Sequence, residues 1–338
     1  MKQVFADVLN HIVVREVAVP EPAAGEVRVR TIYAGICGSD THGVAGQHAF
    51  LAPPYVPGHE ATGVVDSVGE GVEESVVGQR IMLKPNIKCG ECIPCLEDRS
   101  NACQTLRWIG CDITGKLPGA MSEFFVAPAD YVYPISDAVT DEQAALIECF
   151  ATPIHAARIA GDLKGKKVVV LGAGTIGVLQ VIAAKEAGAD KIVATDLEES
   201  KRDRAVRLGA TGAVDGSADD YDEQVLDLLG GRADVVFDCV TNAKAAQQWT
   251  RLVRHGATIC IVGVPSGEYL VPMGWIQDWE LRIQGCANYN EADVETAIAM
   301  ADRIPAEEII SAVYSLDEGP EAFAQAAKFT SGKVLVRG

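Results

Sequence analysis

Long hydrophobic runs are missing from this 338-residue chain. The longest uncharged stretch, Val168 to Ala184, is 17 residues and holds three glycines, too short and too broken for a bilayer span of about 20 residues. No membrane partner is expected, and the stretch reads instead as strand, turn and helix. An export signal is lacking as well: Asp7, Asn10, His11, Arg15 and Glu16 interrupt the opening MKQVFADVLNHIVVREV, so the expected location is cytoplasmic. Positive charge is in short supply, with 29 Lys plus Arg against 47 Asp plus Glu and a net charge of -18. Such a surface repels phosphate backbones and anionic lipid, which excludes nucleic acid as a partner. The acidity otherwise says only that the surface is well solvated. Repeats and low-complexity segments are also lacking. What remains, at 48% hydrophobic and 22% charged residues, is a globular chain long enough for two domains of about 100–200 residues each.

The first 150 residues read as a β domain, barrel-like or sandwich-like. VRVRTIY sets Val27, Val29, Thr31 and Tyr33 on one face and Arg28, Arg30 and Ile32 on the other. GVVDSVGEGV and QRIML continue with short strands between tight turns. Beyond Lys164 the grammar changes to nearly continuous β-branched runs, KVVVLG, KIVATD, ADVVFDC and TICIVGV, separated by helix-length segments. Strands of that kind are buried on both faces, as in a parallel sheet. IGVLQVIAAKEAG predicts an amphipathic or buried crossover helix that ends at Gly188. After LRIQGC, the segments VETAIAMADRI, PEAFAQAAKF and KVLVR are expected to return to the first domain.

VVVLGAGTIG places Gly172, Gly174 and Gly177 where a buried strand gives way to a helix. In that context Gly172 permits the tight turn, Gly174 lets backbone approach a pyrophosphate, and Gly177 lets helix and strand pack closely. The free N–H groups of Thr175 and Ile176 then face the phosphates at a helix N-terminus. Asp196 ends the second strand 24 residues after Gly172, where a carboxylate accepts the adenosine ribose hydroxyls and favours NAD over NADP. Lys201 and Arg202 follow closely, as 2′-phosphate ligands or as a solvated helix face. Val262, Gly263 and Val264 close another strand beside the same crevice, as nicotinamide neighbours or as apolar packing.

Cys89, Cys92, Cys95 and Cys103 are spaced C-x2-C-x2-C-x7-C. Thiols so close in sequence pair poorly as unstrained disulfides but converge readily on zinc, and a reducing cytosol favours metal. Four thiolates leave zinc no open position, so this site stabilises a loop and the chemistry lies elsewhere. The other candidate ligands are Cys37 in AGICGSDTHG, His59 and Glu60 in PGHEATG, and Glu148 in ALIECF, each equally at home as a packed residue when taken alone. Cys111, Cys239, Cys260 and Cys286 read as packing residues.

Together, GICGSDTHG, PGHEATGVV, CGECIPCLEDRSNAC and VVVLGAGTIG resemble the segments of the zinc-dependent medium-chain alcohol dehydrogenases, above all their polyol (sorbitol) dehydrogenase branch, over essentially the whole chain. The resemblance implies an α/β plus β fold. A GroES-like β-barrel catalytic domain would span 1–153 and 289–338, and a Rossmann doubly wound parallel sheet binding NAD would span 154–288. It implies two zinc ions, one structural in the four-cysteine loop and one catalytic. Cys37 and His59 are then direct ligands of the catalytic zinc, and Glu60 and Glu148 are ligand-or-near-ligand carboxylates. Cys149 stands where that branch commonly has Pro, which leaves open whether Glu60, Glu148 or Cys149 completes the shell. Ser39 is implied to take the substrate proton and His42 to pass it on, while Asp40 either partners His59 or caps its turn. The implied reaction passes a hydride from a secondary alcohol, a polyol or vicinal diol, to NAD in a homo-oligomer, a tetramer or dimer. A threonine dehydrogenase, a simple secondary-alcohol enzyme and a zinc-free NADPH quinone or enone reductase are the alternatives.

Overall fold

The alternation in VRVRTIY is realised in the strand Glu26–Ile36, whose Val27, Val29, Thr31 and Tyr33 are buried while Arg30 is exposed. The computed structural model describes residues 1–48, 50–265, 267–328 and 332–338. Phe329, within PEAFAQAAKF, lies outside the described residues. The chain divides into two units, Met1–Cys149 with Asn290–Gly338, and Phe150–Tyr289. Among the described residues no helix is long and apolar enough to cross a membrane.

In the discontinuous unit a seven-stranded sheet runs Ile310–Ser315, Lys333–Arg337, Glu26–Ile36, Glu60–Val68, Arg80–Leu83 and Val132–Pro134, with Phe124–Pro128 also paired to Glu26–Ile36. Only the pairing of Ile310–Ser315 with Lys333–Arg337 is parallel. The C-terminal segment thus does return to the first unit. KVLVR lies antiparallel to Glu26–Ile36, pairing Val334 with Ile36, and Gly35 pairs with Glu60 on the other side. Val4, Val27, Val29, Ile81, Leu83 and Phe125 fill the core under this sheet, each worth about 1.5–3 kcal/mol of transfer energy. The strand Ile310–Ser315 has no counterpart in the sequence-derived expectation.

In the other unit six parallel strands run Gly212–Asp215, Lys191–Asp196, Lys167–Leu171, Ala233–Asp238, Val253–Ile261 and Arg282–Gly285. Val168, Val169 and Val170 are fully buried, which is why the strand reads as a continuous apolar run rather than an alternation. The helix Thr175–Glu186 is buried on most sides, including Val178, Leu179, Val181 and Ala184. Strand order reverses between Lys167–Leu171 and Ala233–Asp238, so the two chain directions diverge there and open a crevice at the carboxyl ends of the strands.

One polar cluster ties the return segment to the cysteine loop. Ser100 Oγ donates to Glu291 Oε2 at 2.6 Å, Lys88 Nζ lies 3.0 Å and buried Lys84 Nζ 3.5 Å from Glu291 Oε1, and Asn290 donates to the Asp98 carbonyl. Burial works against the Glu291 charge, but the Ser100 hydroxyl and the two lysines more than offset it and hold the carboxyl down at about 2. A depressed folded-state value means the stabilisation is complete above the ordinary glutamate value of 4.5 and is lost as pH falls towards about 2. Glu291→Gln is therefore expected to melt below the wild type at neutral pH. The gap between the two melting temperatures should close between those pH values, and a gap independent of pH would remove Glu291 from this role.

Candidate functional site

The four loop cysteines come together without a disulfide. Cys92 caps the short helix Ile93–Leu96, whose Pro94 suits its first turn, and Cys95 projects from that helix. Cys103 closes the following 3-10 turn Ser100–Ala102. The sulfur separations are 3.4 Å for Cys92–Cys95, 3.5 Å for Cys89–Cys103, 3.9 Å for Cys92–Cys103 and 4.0 Å for Cys89–Cys95. A tetrahedron with zinc–sulfur bonds of about 2.3 Å has edges of about 3.8 Å, so this donor set fits zinc. Ionisation is shared unevenly. The backbone N–H groups of Glu91 and Cys92 hold Cys89 down at about 6, while desolvation pushes Cys95 up to about 12. A dication held there would let all four ionise.

A second donor group joins Cys37, His59 and Glu60, whose ligand atoms lie within 4.8 Å of one another. Cys37 leaves the strand Glu26–Ile36 and is the N-cap of the helix Gly38–Val44, its N–H donating to Asp40 Oδ2 at 3.0 Å. His59 follows Gly58, which has φ +109° and where any Cβ would strike the Met121 and Ala120 backbone. It is buried, with its ring edge-on to Trp108 at 5.7 Å. Glu60 begins the next strand and lies over Gly35, where a Cβ would run into its carboxylate. Both Glu60 oxygens accept from buried Lys333 Nζ at 2.6 Å. Burial opposes the lysine charge, and Glu60 overrides it and holds Lys333 above the ordinary lysine range. This pair had no sequence signal, because 273 residues separate its members and only sheet register unites them.

Glu148 is buried in the first turn of the helix Ile147–Ala160 and belongs to none of the three donor groups found among the described residues. Cys149 donates its thiol to the Leu146 carbonyl at 3.3 Å, and burial pushes that thiol well above its ordinary value; it is spent on the backbone. Ser39 and His42 are half-buried on the helix Gly38–Val44. Cys111, read from sequence as a packing residue, does more than pack. Its Sγ lies 3.4 Å from His59 Nδ1, and Asp40, His59 and Cys111 form a further donor group.

In the other unit Gly172 has φ +87°, Gly174 caps the helix Thr175–Glu186, and a Cβ at Gly177 would strike the Gly172 carbonyl. Asp196 Oδ2 accepts from Ala173 N–H at 2.8 Å, joining the acid to the glycine turn. Lys201 is paired with Glu198 at 2.9 Å, and Arg202 with Asp215 at 3.4 Å and with the Asp196 and Leu197 carbonyls. Val262 is buried whereas Val264 is exposed, because the strand ends at Ile261. Sequence reasoning missed Asp238, which is fully buried. Its carboxylate accepts from the Val240 and Thr241 N–H groups and from Trp249 Nε1, and its carbonyl from Val262 and Gly263 N–H. It thereby fixes two strand ends at the crevice. An acid closing a strand, as in ADVVFDC, was the available signal.

Residues 23–137 match the alcohol dehydrogenase GroES-like domain, and residues 175–303 match the zinc-binding dehydrogenase model. The sorbitol dehydrogenase of Bacillus subtilis (strain 168) is 31% identical over 345 residues, covering 99% of this chain and 97% of that protein. A Sinorhizobium meliloti 1021 protein solved bound to NADP superposes with a TM-score of 0.92 at 32% identity, covering 100% of this chain and 99% of that one. An alcohol dehydrogenase from Escherichia coli CFT073, complexed with NADH, also gives a TM-score of 0.92, at 28% identity and with coverage of 100% and 99%. With both units and both zinc-type donor sets accounted for, the chain belongs to the zinc-dependent medium-chain alcohol dehydrogenase family, in its polyol dehydrogenase branch.

Proposed function

We propose that this protein oxidises a secondary alcohol, a polyol or vicinal diol, to the ketone and passes the hydride to NAD. The observation that carries the reading is the convergence of half-buried Cys37 with buried His59 and Glu60 into one donor group, separate from the closed four-sulfur site. A zinc ion held by those residues supplies Lewis-acid polarisation of a hydroxyl, lowering its pKa towards neutrality.

The chain's own residues do the rest. Ser39 takes the substrate proton and His42 carries it on, both from the helix that Cys37 caps. Asp40 fixes the Cys37 backbone, and Lys333 holds both Glu60 oxygens. Glu148 is assigned a place next to the metal rather than a fixed bond to it. The structural zinc belongs to Cys89, Cys92, Cys95 and Cys103. Gly172, Gly174, Thr175, Ile176 and Gly177 receive the pyrophosphate, Asp196 and Lys201 the adenosine ribose, and Val262 and Val264 the nicotinamide end.

The preference for NAD rests on Asp196. Both nearby cations that would welcome a 2′-phosphate are neutralised, Lys201 by Glu198 and Arg202 by Asp215. Steady-state turnover of a panel of polyols, diols and simple secondary alcohols with each cofactor tests the reading. The wild type is expected to favour NAD by at least about tenfold in kcat/KM, and Asp196→Ala to narrow that preference by about tenfold, ~1.4 kcal/mol. A wild type that uses NADP better than NAD would overturn the cofactor assignment.

A further inference from the structure

We propose that Cys111 is a positioning residue for the reactive metal: its sulfur accepts the Nδ1 proton of His59 and so presents Nε2 to the metal. The inference rests on His59 being a ligand of that metal, as proposed above. A histidine that gives one ring nitrogen to a metal carries its proton on the other, and that proton needs an acceptor which fixes tautomer and ring orientation. Among the described residues two groups face His59 Nδ1, Cys111 Sγ at 3.4 Å and Asp40 Oδ1 at 3.7 Å. The first is within reach of a hydrogen bond to the larger sulfur atom. The second is beyond the range of an N–H···O bond, which has failed by about 3.6 Å.

Among the described residues Asp40 Oδ1 accordingly has no hydrogen-bond partner although the side chain is fully buried, and Oδ2 is committed to the Cys37 N–H. The Asp40 side chain thus makes no hydrogen bond to the ring, and the thiol takes the contact.

Backbone packing holds the sulfur in place. Gly110, with φ +82°, precedes Cys111, and a Cβ there would strike the Gly58 carbonyl and the His59 nitrogen. The turns carrying Cys111 and His59 are therefore pressed backbone to backbone, and the Cys111 N–H is tied to the Trp108 carbonyl. Trp108 in turn packs on the His59 ring. The imidazole is enclosed by Trp108, Cys111 and Asp40.

The test compares wild type, Cys111→Val, Cys111→Ser and Cys37→Ala. Zinc is titrated against a chelator, and the cobalt-substituted proteins are examined by absorption spectroscopy. Loss of the acceptor should weaken zinc at the reactive site about 10- to 100-fold while leaving the four-cysteine site loaded. The hydroxyl of the serine variant should restore affinity to within about threefold of wild type. Sulfur-to-cobalt charge-transfer intensity should stay at the wild-type level in both Cys111 variants, with the ligand-field bands shifted in the valine form. Cys111→Ala carries the same comparison if the valine variant fails to fold. Zinc affinity within twofold of wild type in the valine or alanine form would overturn the inference. So would the loss of one thiolate's worth of charge-transfer intensity, which would make Cys111 a ligand. A wild type that takes up no more metal than Cys37→Ala overturns the reading of Cys37 and His59 on which this stands, and is distinguishable for that reason.

Discussion

Cys37→Ala is expected to lose one zinc equivalent and about a thousandfold or more of alcohol-oxidising kcat/KM, with NAD affinity unchanged. Metal polarisation contributes several kcal/mol to such a reaction, and each ~1.4 kcal/mol is a factor of ten. The substitution is mild for the fold. The contact that anchors the turn is the backbone N–H of residue 37 to Asp40 Oδ2, and alanine keeps that N–H. Only the sulfur is removed. Gly172 to Asp196, proposed above to receive the dinucleotide, lie in the other unit, so a calorimetric NAD titration should not change. Metal analysis and turnover on the same preparation decide the matter. Full activity without the Cys37 metal would defeat the zinc mechanism and revive a zinc-free reductase.

Cys95→Ser is expected to act on stability instead, lowering the melting temperature by on the order of 10 °C while turnover per folded molecule stays near the wild-type value. Serine keeps the size of cysteine but supplies no thiolate. Apolar burial does little to hold the loop: Ile93 is 67% and Leu96 72% exposed. Zinc binding to such a loop is folding free energy, and a few kcal/mol lost from a unit this size moves the midpoint by that amount. The damage should spread along Ser100 and Lys88 to Glu291, loosening the return segment. Scanning calorimetry beside single-turnover measurements separates the two effects. A variant that melts like wild type but has lost its chemistry would show that the loop is not merely structural.

Much of this was legible in the sequence because it depends on local rules. Strand faces in VRVRTIY follow from a period of two, and the buried parallel sheet from continuous β-branched runs. The glycine turn follows from positions such as Gly172 and Gly177, where a side chain would be strained or would clash. The four-cysteine site follows from short loops that can close on one ion. Each of these is decided within about fifteen residues, where chain geometry leaves few alternatives.

Tertiary structure decided the pairs that sequence distance hides. Of the three candidates for the metal shell, Glu60 is grouped with Cys37 and His59 among the described residues, and Cys149 donates to the Leu146 carbonyl. Lys333 reaches Glu60 because the last strand and the Glu60 strand flank the same Glu26–Ile36 strand. Cys111 meets His59 because two glycine turns pack against each other. Composition and spacing establish which donors the chain owns, since thiol, imidazole and carboxylate chemistry travels with the residue. Which donors share a site is set by sheet register and by the close approach of turns, and these depend on contacts between residues tens to hundreds of positions apart.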